Sequence, residues 1–336
     1  MNHIGSIPDR PADARTLRLS ADRDGIALGA RLLREGHLVA FPTETVYGIG
    51  ADATDAAAVA AIFAAKERPR FNPLIAHVPA LAAARSEGVF DEVALALAEA
   101  FWPGALTLVV PAAENGTVCD LARAGLASVA LRVPGSAFAR DLLAEVERPV
   151  AAPSANRSGR VSPTSAAHVL ADLDGRIAAV IDGGSAPVGL ESTVVACLGG
   201  RPRLLRPGGV TRNALERVLG YAIGGPEEAV ATAPLAPGLL ASHYAPRARV
   251  RLDAVSVEPD EAVLLFGAKR PGGLSDAVAS EQLSETSDLV EAAAGLFAAL
   301  RRLDAAGSDV IAVVPIPQIG LGEAINDRLR RAAAPR

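Results

Sequence analysis

Lysine is almost missing from this chain. Of its 33 basic residues only Lys66 and Lys269 are lysine, and the other 31 are arginine. Cysteine is just as scarce. Cys119 and Cys197 stand alone, without CxxC spacing or neighbouring histidines, so neither a disulfide framework nor a zinc site is indicated. They read as small core thiols of a reducing compartment. Aromatics supply only 4% of the residues, so a composition that is half apolar must pack its core from small side chains, mostly alanine. Long apolar runs are also lacking. The longest, "VIAVVPIPQIGL" (310–321), is too short to span a bilayer and holds two prolines. Residues 1–20 carry charges and no apolar h-region, and do not read as a signal peptide. The expectation is a soluble, cytoplasmic protein with no membrane partner. The net charge of −5 argues against indiscriminate coating of nucleic acid, while a local basic face stays open.

What is present divides in two, as a length of 336 residues suggests. Residues 22–36 read as a helix ended by Gly36, and "HLVAF" (37–41) as a strand. The polar, glycine-bearing string "PTETVYGIGADA" follows where a core strand would have continued. Thr54 and Asp55 offer N-caps to a helix over 55–67 that Pro69 stops. Strands are expected at 73–78, 105–110, 127–133 and 149–152, with a helix at about 91–101. "SPTSAAHVLADL" reads as a helix with Ser162 at the N-cap and Pro163 at the first helical position. "AAVIDGG", "STVVAC" and "RPRLLRPGG" complete a mixed sheet. Residues 221–246 lose periodicity and collect Pro226, Pro234, Pro237 and Pro246, a linker signature. Beyond them strand and helix alternate, as in a small parallel-sheet domain.

The stretch "FAAKERPRFNPLIAHV" (63–78) packs Lys66, Arg68 and Arg70 together, with Asn72 and His77 close behind. A cation in the last turn of a helix also steadies the macrodipole, but arginine would serve that purpose equally well. A Walker A loop is excluded, since it needs Gly-Lys-Ser/Thr and both lysines here follow alanine. Gly48-Ile49-Gly50-Ala51-Asp52-Ala53 imitates a dinucleotide-binding GxGxxA. However, Pro42 and Thr43 to Thr45 break the strand before it, and no acidic residue sits on a strand end ~20 residues on. In "SVALRVP", alternation puts Ser128, Ala130 and Arg132 on one face and Val129, Leu131 and Val133 on the other. An arginine inside so apolar a strand either snorkels from an edge or meets an anion. "APSANRSGRVSPTS" sets Ser154, Asn156, Ser158 and Ser162 before a helix N-terminus, a place that favours anions or simple turns and caps. Ser192 and Arg206 sit at further strand ends. One convergent polyanion site accounts for these positions more economically than many separate turns. His243 and Tyr244 lie in the linker with no evident core to fill, either packed between domains or forming a lid.

The strings "FPTETVYGIGADA", "KERPRFNPLIAHV", "FWPGALTLVV", "ALRVP", "AAPSANRSGRVSPTS", "ESTVV", "LLRPGG", "SHYAP" and "GEAINDRLRRAA", in this order, resemble the L-threonylcarbamoyladenylate synthase family in its two-domain form. Lys66-Glu67-Arg68 and Ser154-Ala155-Asn156 carry most of the specificity. Two positions depart: Glu67 stands where a small residue is often found, and Ala105 where proline commonly follows Trp-Pro-Gly.

The resemblance implies an α/β fold, a YrdC-like twisted mixed sheet with flanking helices followed by a small Rossmann-like parallel α/β domain. The expected divisions are a tail (1–20), a catalytic domain (21–220), a linker (221–246) and the C-terminal domain (247–336). It implies synthesis of threonylcarbamoyl-AMP from L-threonine, bicarbonate or CO2 and ATP, with Mg2+ carried by the ATP. The product would pass to a downstream tRNA-modifying enzyme. It assigns a catalytic set of Lys66, Arg68, Ser154 and Asn156. Nucleotide contacts fall to Arg68, Asn72, Ser128, Ser154, Ser162, Arg206 and Tyr244, and threonine contacts to Thr45, His77, Arg132, Ala152 and Ser192. The competing reading is an RNA-binding module with Lys66, Arg68, Arg70, Arg132, Arg157 and Arg160 along a basic concave face.

Overall fold

A computed structural model describes residues 15–69, 72–225 and 242–335. Helix α1 (Arg23–Arg34) starts at Asp22, whose carboxylate accepts the Gly25 amide. Strand β2 (Val39–Pro42) does not stop at the polar string. The chain turns through Thr43 to Val46 and returns antiparallel as β3 (Tyr47–Asp52). The Thr43 hydroxyl ties this turn by donating to the Val46 carbonyl at 2.6 Å and accepting the Thr45 amide at 3.2 Å. Gly48 and Gly50 therefore lie within a hairpin strand, not in a strand-turn-helix, and the dinucleotide reading fails. Gly50 is glycine for lack of room: a Cβ there would fall 2.9 Å from the Phe41 ring.

Asp55 caps α2 (Ala56–Lys66) by accepting the Ala57 amide, and the helix ends at Glu67 in the left-handed region (φ 53°). Then come β4 (Ile75–His77), the helices α3 (Leu81–Glu87) and α4 (Glu92–Phe101), and the strands β5 (Leu106–Pro111) and β6 (Ser128–Arg132). Helix α5 (Ala137–Val146), strand β7 (Val150–Ala151) and helix α6 (Ala166–Leu173) lead to β8 (Ala179–Asp182), β9 (Thr193–Ala196), β10 (Arg203–Arg206) and α7 (Arg212–Leu219). Ser165, not Ser162, caps α6, with its hydroxyl accepting the His168 amide. Leu17–Ser20, at the end of the expected tail, forms β1 and pairs in parallel with β8.

These strands make one mixed ten-stranded sheet in the order β1-β8-β2-β3-β7-β4-β6-β5-β9-β10. Strand β6 is interior, so Arg132 is no edge-strand snorkel. Its two faces separate as alternation requires: Val129, Leu131 and Val133 enter the large core, while Ala130 joins Ile75, Val109, Val194, Ala196 and Leu205 on the opposite side.

The second body is a parallel four-stranded sheet ordered β11 (Arg249–Arg251), β14 (Val310–Val313), β12 (Ala262–Leu265), β13 (Ala279–Gln282). Helices α8 (Leu289–Ala305) and α9 (Gly322–Ala333) pack with it. Its core continues into the first body through Val46, Val161 and Leu190. Gly189 (φ +70°) lies flush on α8, where a Cβ would fall 2.4 Å from the Ala293 carbonyl oxygen. Residues 226–241, most of the expected linker, lie outside the described residues. At its end His243 and Tyr244 are both buried, with Tyr244 against Phe297 and Arg328, as packing between domains, one of the two readings of this segment, requires. No helix among the described residues is long and apolar enough to cross a membrane.

Candidate active site

The small face of the sheet ends in polar residues. Period-two alternation carries Ile75 to His77 on β4, Ala130 to Arg132 on β6, Val109 to Thr107 on β5 and Val194 to Ser192 before β9. His77 and Arg132 are direct partners in the β4–β6 register. Because β5 runs antiparallel to β6 and parallel to β9, the starts of β5 and β9 meet the ends of β4 and β6. Four residues from scattered segments thus arrive at one sheet end.

A narrow cleft opens there. Its walls include Arg68, His77, Arg132, Ala152, Ser154, Ser192, Arg206 and Tyr244, together with Glu191 and His243. Of the expected site residues, Thr45, Lys66, Asn72, Ser128, Asn156 and Ser162 are not in the wall. Thr45 bonds Thr43 through their hydroxyls at 2.8 Å, and Ser128 opens β6 opposite Pro111. Asn72 is buried with its Oδ1 unpartnered among the described residues.

Lys66 is 1% exposed and turned into the protein, where its ammonium donates to the carbonyls of Ser154 and Asn156, each at 2.5 Å. Burial and the nearby Arg68 hold it well below lysine's ordinary pKa. The Asn156 amide donates to the carbonyls of Arg157 and Arg160, both at 2.8 Å. Lys66 and Asn156 therefore shape the loop that carries Ser154 rather than face the cleft themselves. Ser162 stands one step behind the wall and donates its hydroxyl to Glu191.

His77 Nδ1 lies 3.1 Å from the Ile75 carbonyl oxygen, which can only accept, so Nδ1 carries the proton and Nε2 presents a lone pair. Burial, reinforced by Arg132, lowers this imidazole to about 3. At neutral pH it is an uncharged acceptor and a weak base. Arg132 donates to Glu44 at 2.5 Å and to the Gly104 carbonyl at 3.3 Å. Arg206 donates to the Ser192 carbonyl from Nη2 at 2.8 Å, and the Ser192 hydroxyl shares a 2.7 Å hydrogen bond with Thr107. Arg68 is buried with Nε unpartnered among the described residues, as is the Tyr244 hydroxyl.

Two carboxylates that the sequence reading passed over complete the site. Burial alone would raise the Glu191 carboxyl, but Arg328, Arg206 and the Ser162 hydroxyl outweigh it, so the group stays ionised. Glu44 behaves likewise, with burial opposed by Arg132 and the Gly135 amide. The cleft is thus a cationic site with two built-in counter-charges. Glu67, a departure from the family pattern, turns outward and pairs with Arg157 and Arg176, so its charge is spent there.

The same burial removes the basic RNA face. Lys66, Arg68 and Arg132 are buried, Arg157 is paired with Glu67, and Arg70 lies outside the described residues. Among the five described residues of that set, Arg160 is the one classed as exposed.

Comparisons with known proteins agree with this geometry. A family model described as telomere recombination, covering Sua5, YciO and YrdC proteins, matches residues 31–208. The model of the threonylcarbamoyl-AMP synthase C-terminal domain matches residues 210–334. The threonylcarbamoyl-AMP synthase of Bacillus subtilis is 41% identical over 96% of each chain. That of Pyrococcus abyssi is 43% identical over 92% of this chain and 94% of its own. A crystal structure of P. abyssi Sua5 complexed with L-threonine superposes with a TM-score of 0.85 at 39% identity, over 95% of this chain and 96% of that one. Both bodies, and the cleft against which they meet, are accounted for by one lineage: this chain belongs to the threonylcarbamoyl-AMP synthase family, in its two-domain form.

Proposed function

We infer that this chain condenses L-threonine, bicarbonate-derived CO2 and ATP into threonylcarbamoyl-AMP, releasing pyrophosphate. The observation that carries the reading is the adjacency, in one cleft, of an amino-acid-sized polar end (His77, Arg132, Ser192) and a second cationic wall (Arg68, Arg206). The planar fork of Arg132 suits the threonine carboxylate, since it can bind two oxygens at once. The neutral His77 presents Nε2 as an acceptor for the amine or hydroxyl of threonine. The Ala152 backbone and Thr45, in the tied turn, belong to the same subsite. Arg68, Asn72, Ser128, Ser154, Ser162, Arg206 and Tyr244 take the nucleotide. Lys66 and Asn156 serve the phosphates through the loop they organise.

The threonine amine captures CO2 as a carbamate, losing a proton. A carbamate oxygen then attacks the α-phosphorus, and the bond to the β-phosphate oxygen breaks to release pyrophosphate. Aligning these partners can be worth ~7–11 kcal/mol, and the buried cations stabilise charge moving onto the leaving group. His77 is too weak a base at a pKa of about 3 to drive the chemistry. Mg2+ enters as part of the ATP substrate. The product feeds a tRNA-modifying enzyme of the cytoplasm. Pyrophosphate release measured with each substrate omitted in turn tests the reading. Release should require threonine, bicarbonate and ATP together, and release without threonine would sink it.

A further inference from the structure

Arg328 is the largest fully buried side chain among the described residues, at 0% exposure, and it belongs to α9 of the C-terminal domain rather than to the domain that builds the cleft. Its Nε donates to Glu191 at 2.8 Å and its Nη1 to Asp327 at 2.6 Å. Its guanidinium carbon lies 5.0 Å from the centre of the Tyr244 ring. Tyr244 also stacks on Phe297 of α8, with ring centres 5.7 Å apart, and its backbone is held in the left-handed region at φ 61°. A non-glycine residue in that region costs ~1–3 kcal/mol unless its surroundings impose it. Arg328 and Phe297 pack on the ring, while the flanking amides of His243 and Ala245 donate to the carbonyls of Arg331 and Gly159.

Simple glue between the domains does not require this arrangement. Arg301–Asp172 and Arg212–Glu323 already join the two bodies. Burying a guanidinium completely is costly unless every partner is well placed. Both cleft-side partners of Arg328, Glu191 and Tyr244, are wall residues, and Glu191 passes the contact on to Ser162. We propose that Arg328 is a positioning residue of the nucleotide site, through which the C-terminal domain fixes Glu191 in the wall, Ser162 behind it and the Tyr244 ring, and so sets the affinity for ATP. This rests on the assignment of Ser162 and Tyr244 to the nucleotide made above.

The test uses the full chain, with ATP binding by equilibrium dialysis and pyrophosphate release titrated separately against ATP and threonine. Arg328→Gln should raise Kd and KM for ATP about tenfold or more, because truncating one partner of a buried charge pair leaves the other uncompensated. KM for threonine should stay within about twofold, since that subsite is held by other residues. Arg328→Lys should recover part of the loss, keeping a counter-charge for Glu191 but not the flat face on Tyr244. Glu323→Gln, which removes a different interdomain pair, should leave ATP affinity unchanged. ATP affinity unaltered in a folded Arg328→Gln protein overturns the proposal, as does an equal loss for ATP and threonine, or the same loss in Glu323→Gln. Should Arg328→Gln not fold, a full ATP affinity in Arg328→Lys overturns it too. Ser162→Ala and Tyr244→Ala keep the two claims apart. If neither weakens ATP binding, the nucleotide assignment itself has failed; if both do while Arg328→Gln does not, only the role of Arg328 falls.

Discussion

The Glu44 carboxylate spans Arg132 and the start of α5: one oxygen accepts from Arg132 at 2.5 Å, and the other accepts the Ser136 amide at 3.2 Å. Both side chains of the pair are largely buried, at 5% and 14% exposure. Glu44 thereby sets the plane of the guanidinium that the amino-acid carboxylate would meet. Glu44→Ala leaves Arg132 charged and uncompensated, which costs ~3–5 kcal/mol for a buried pair. Glu44→Gln keeps hydrogen-bonding atoms but not the charge, and should cost less. Urea denaturation should rank wild type above Gln above Ala, with KM for threonine rising in the same order. A Glu44→Ala protein of normal stability and normal threonine KM would show that Arg132 orients itself.

Lys66 explains why lysine appears where arginine is the habit of the chain. A compact ammonium fits at the end of α2 against two backbone carbonyls, and a planar fork does not. Lys66→Arg overfills the site and should destabilise by ~1–3 kcal/mol. Lys66→Met leaves the Asn156 carbonyl without a donor and the Ser154 carbonyl with only the Asn156 amide, and should cost ~1–3 kcal/mol for the one left buried and unpaired. In both variants KM for ATP should rise, because the Ser154 loop loses its tie. The check is a thermal melt beside an ATP titration, and an unaffected Lys66→Arg enzyme would contradict the steric account.

Gly208 reads as an ordinary turn glycine after β10, yet it presses on the backbone that delivers Ser192. A Cβ there would lie 2.3 Å from the Glu191 carbonyl oxygen and 2.5 Å from the Thr193 nitrogen. Backbone cannot step aside as a flexible side chain can. Gly208→Ala should therefore lower Tm by several degrees or more, in line with ~1–3 kcal/mol of overpacking, and raise KM for threonine through Ser192. An alanine variant with wild-type Tm and KM would mean that the strand end has slack.

Much of this site could be read from the chain because its residues stand at strand ends, where one polar residue follows an apolar run. Arg132 shows this most clearly. Alternation places it with Ala130, cost leaves it an edge snorkel or an anion, and the interior place of β6 decides for the anion. The anion is Glu44, in a string already quoted. Glu44 and Glu191 carry no such signal in the sequence, because a polyanion site shows itself by its cations and not by the acids that balance them. Ser162 was misplaced as a cap since Ser-Pro favours that reading locally, while its true partner Glu191 is distant in sequence. Helix α5 was legible but unread: Ala139, Leu142, Leu143 and Val146 form a helical stripe, and Ser136 caps it. Tyr244 is legible only as one of two alternatives, packing between domains or a lid. Linker composition says nothing of Phe297 and Arg328, which bury it from another domain.

Buried histidines set the response to acid. Burial, reinforced by Arg132, lowers the His77 imidazole to about 3, so it enters the folded state uncharged. His168, partly buried beside Arg301 and Arg302, is lowered to about 4 by desolvation first and those charges second. In the unfolded chain both titrate near 6.5. Between pH 6.5 and those lowered values the unfolded state binds more protons than the folded one, so stability is full above 6.5 and falls as pH drops through this window. For the fully buried His77 the slope approaches ~1.4 kcal/mol per pH unit, and for the half-open His168 it is smaller. The carboxyls of Glu44 and Glu191, held below 4.5, add to the loss only beneath that value. Urea midpoints should thus fall steadily from pH 7 to pH 5, before carboxylate titration begins. His77→Gln removes one titrating group and should flatten this descent by about one proton's worth. An equally steep descent in that variant would mean that His77 is protonated in the folded protein, and its role as a neutral acceptor for threonine would go with it.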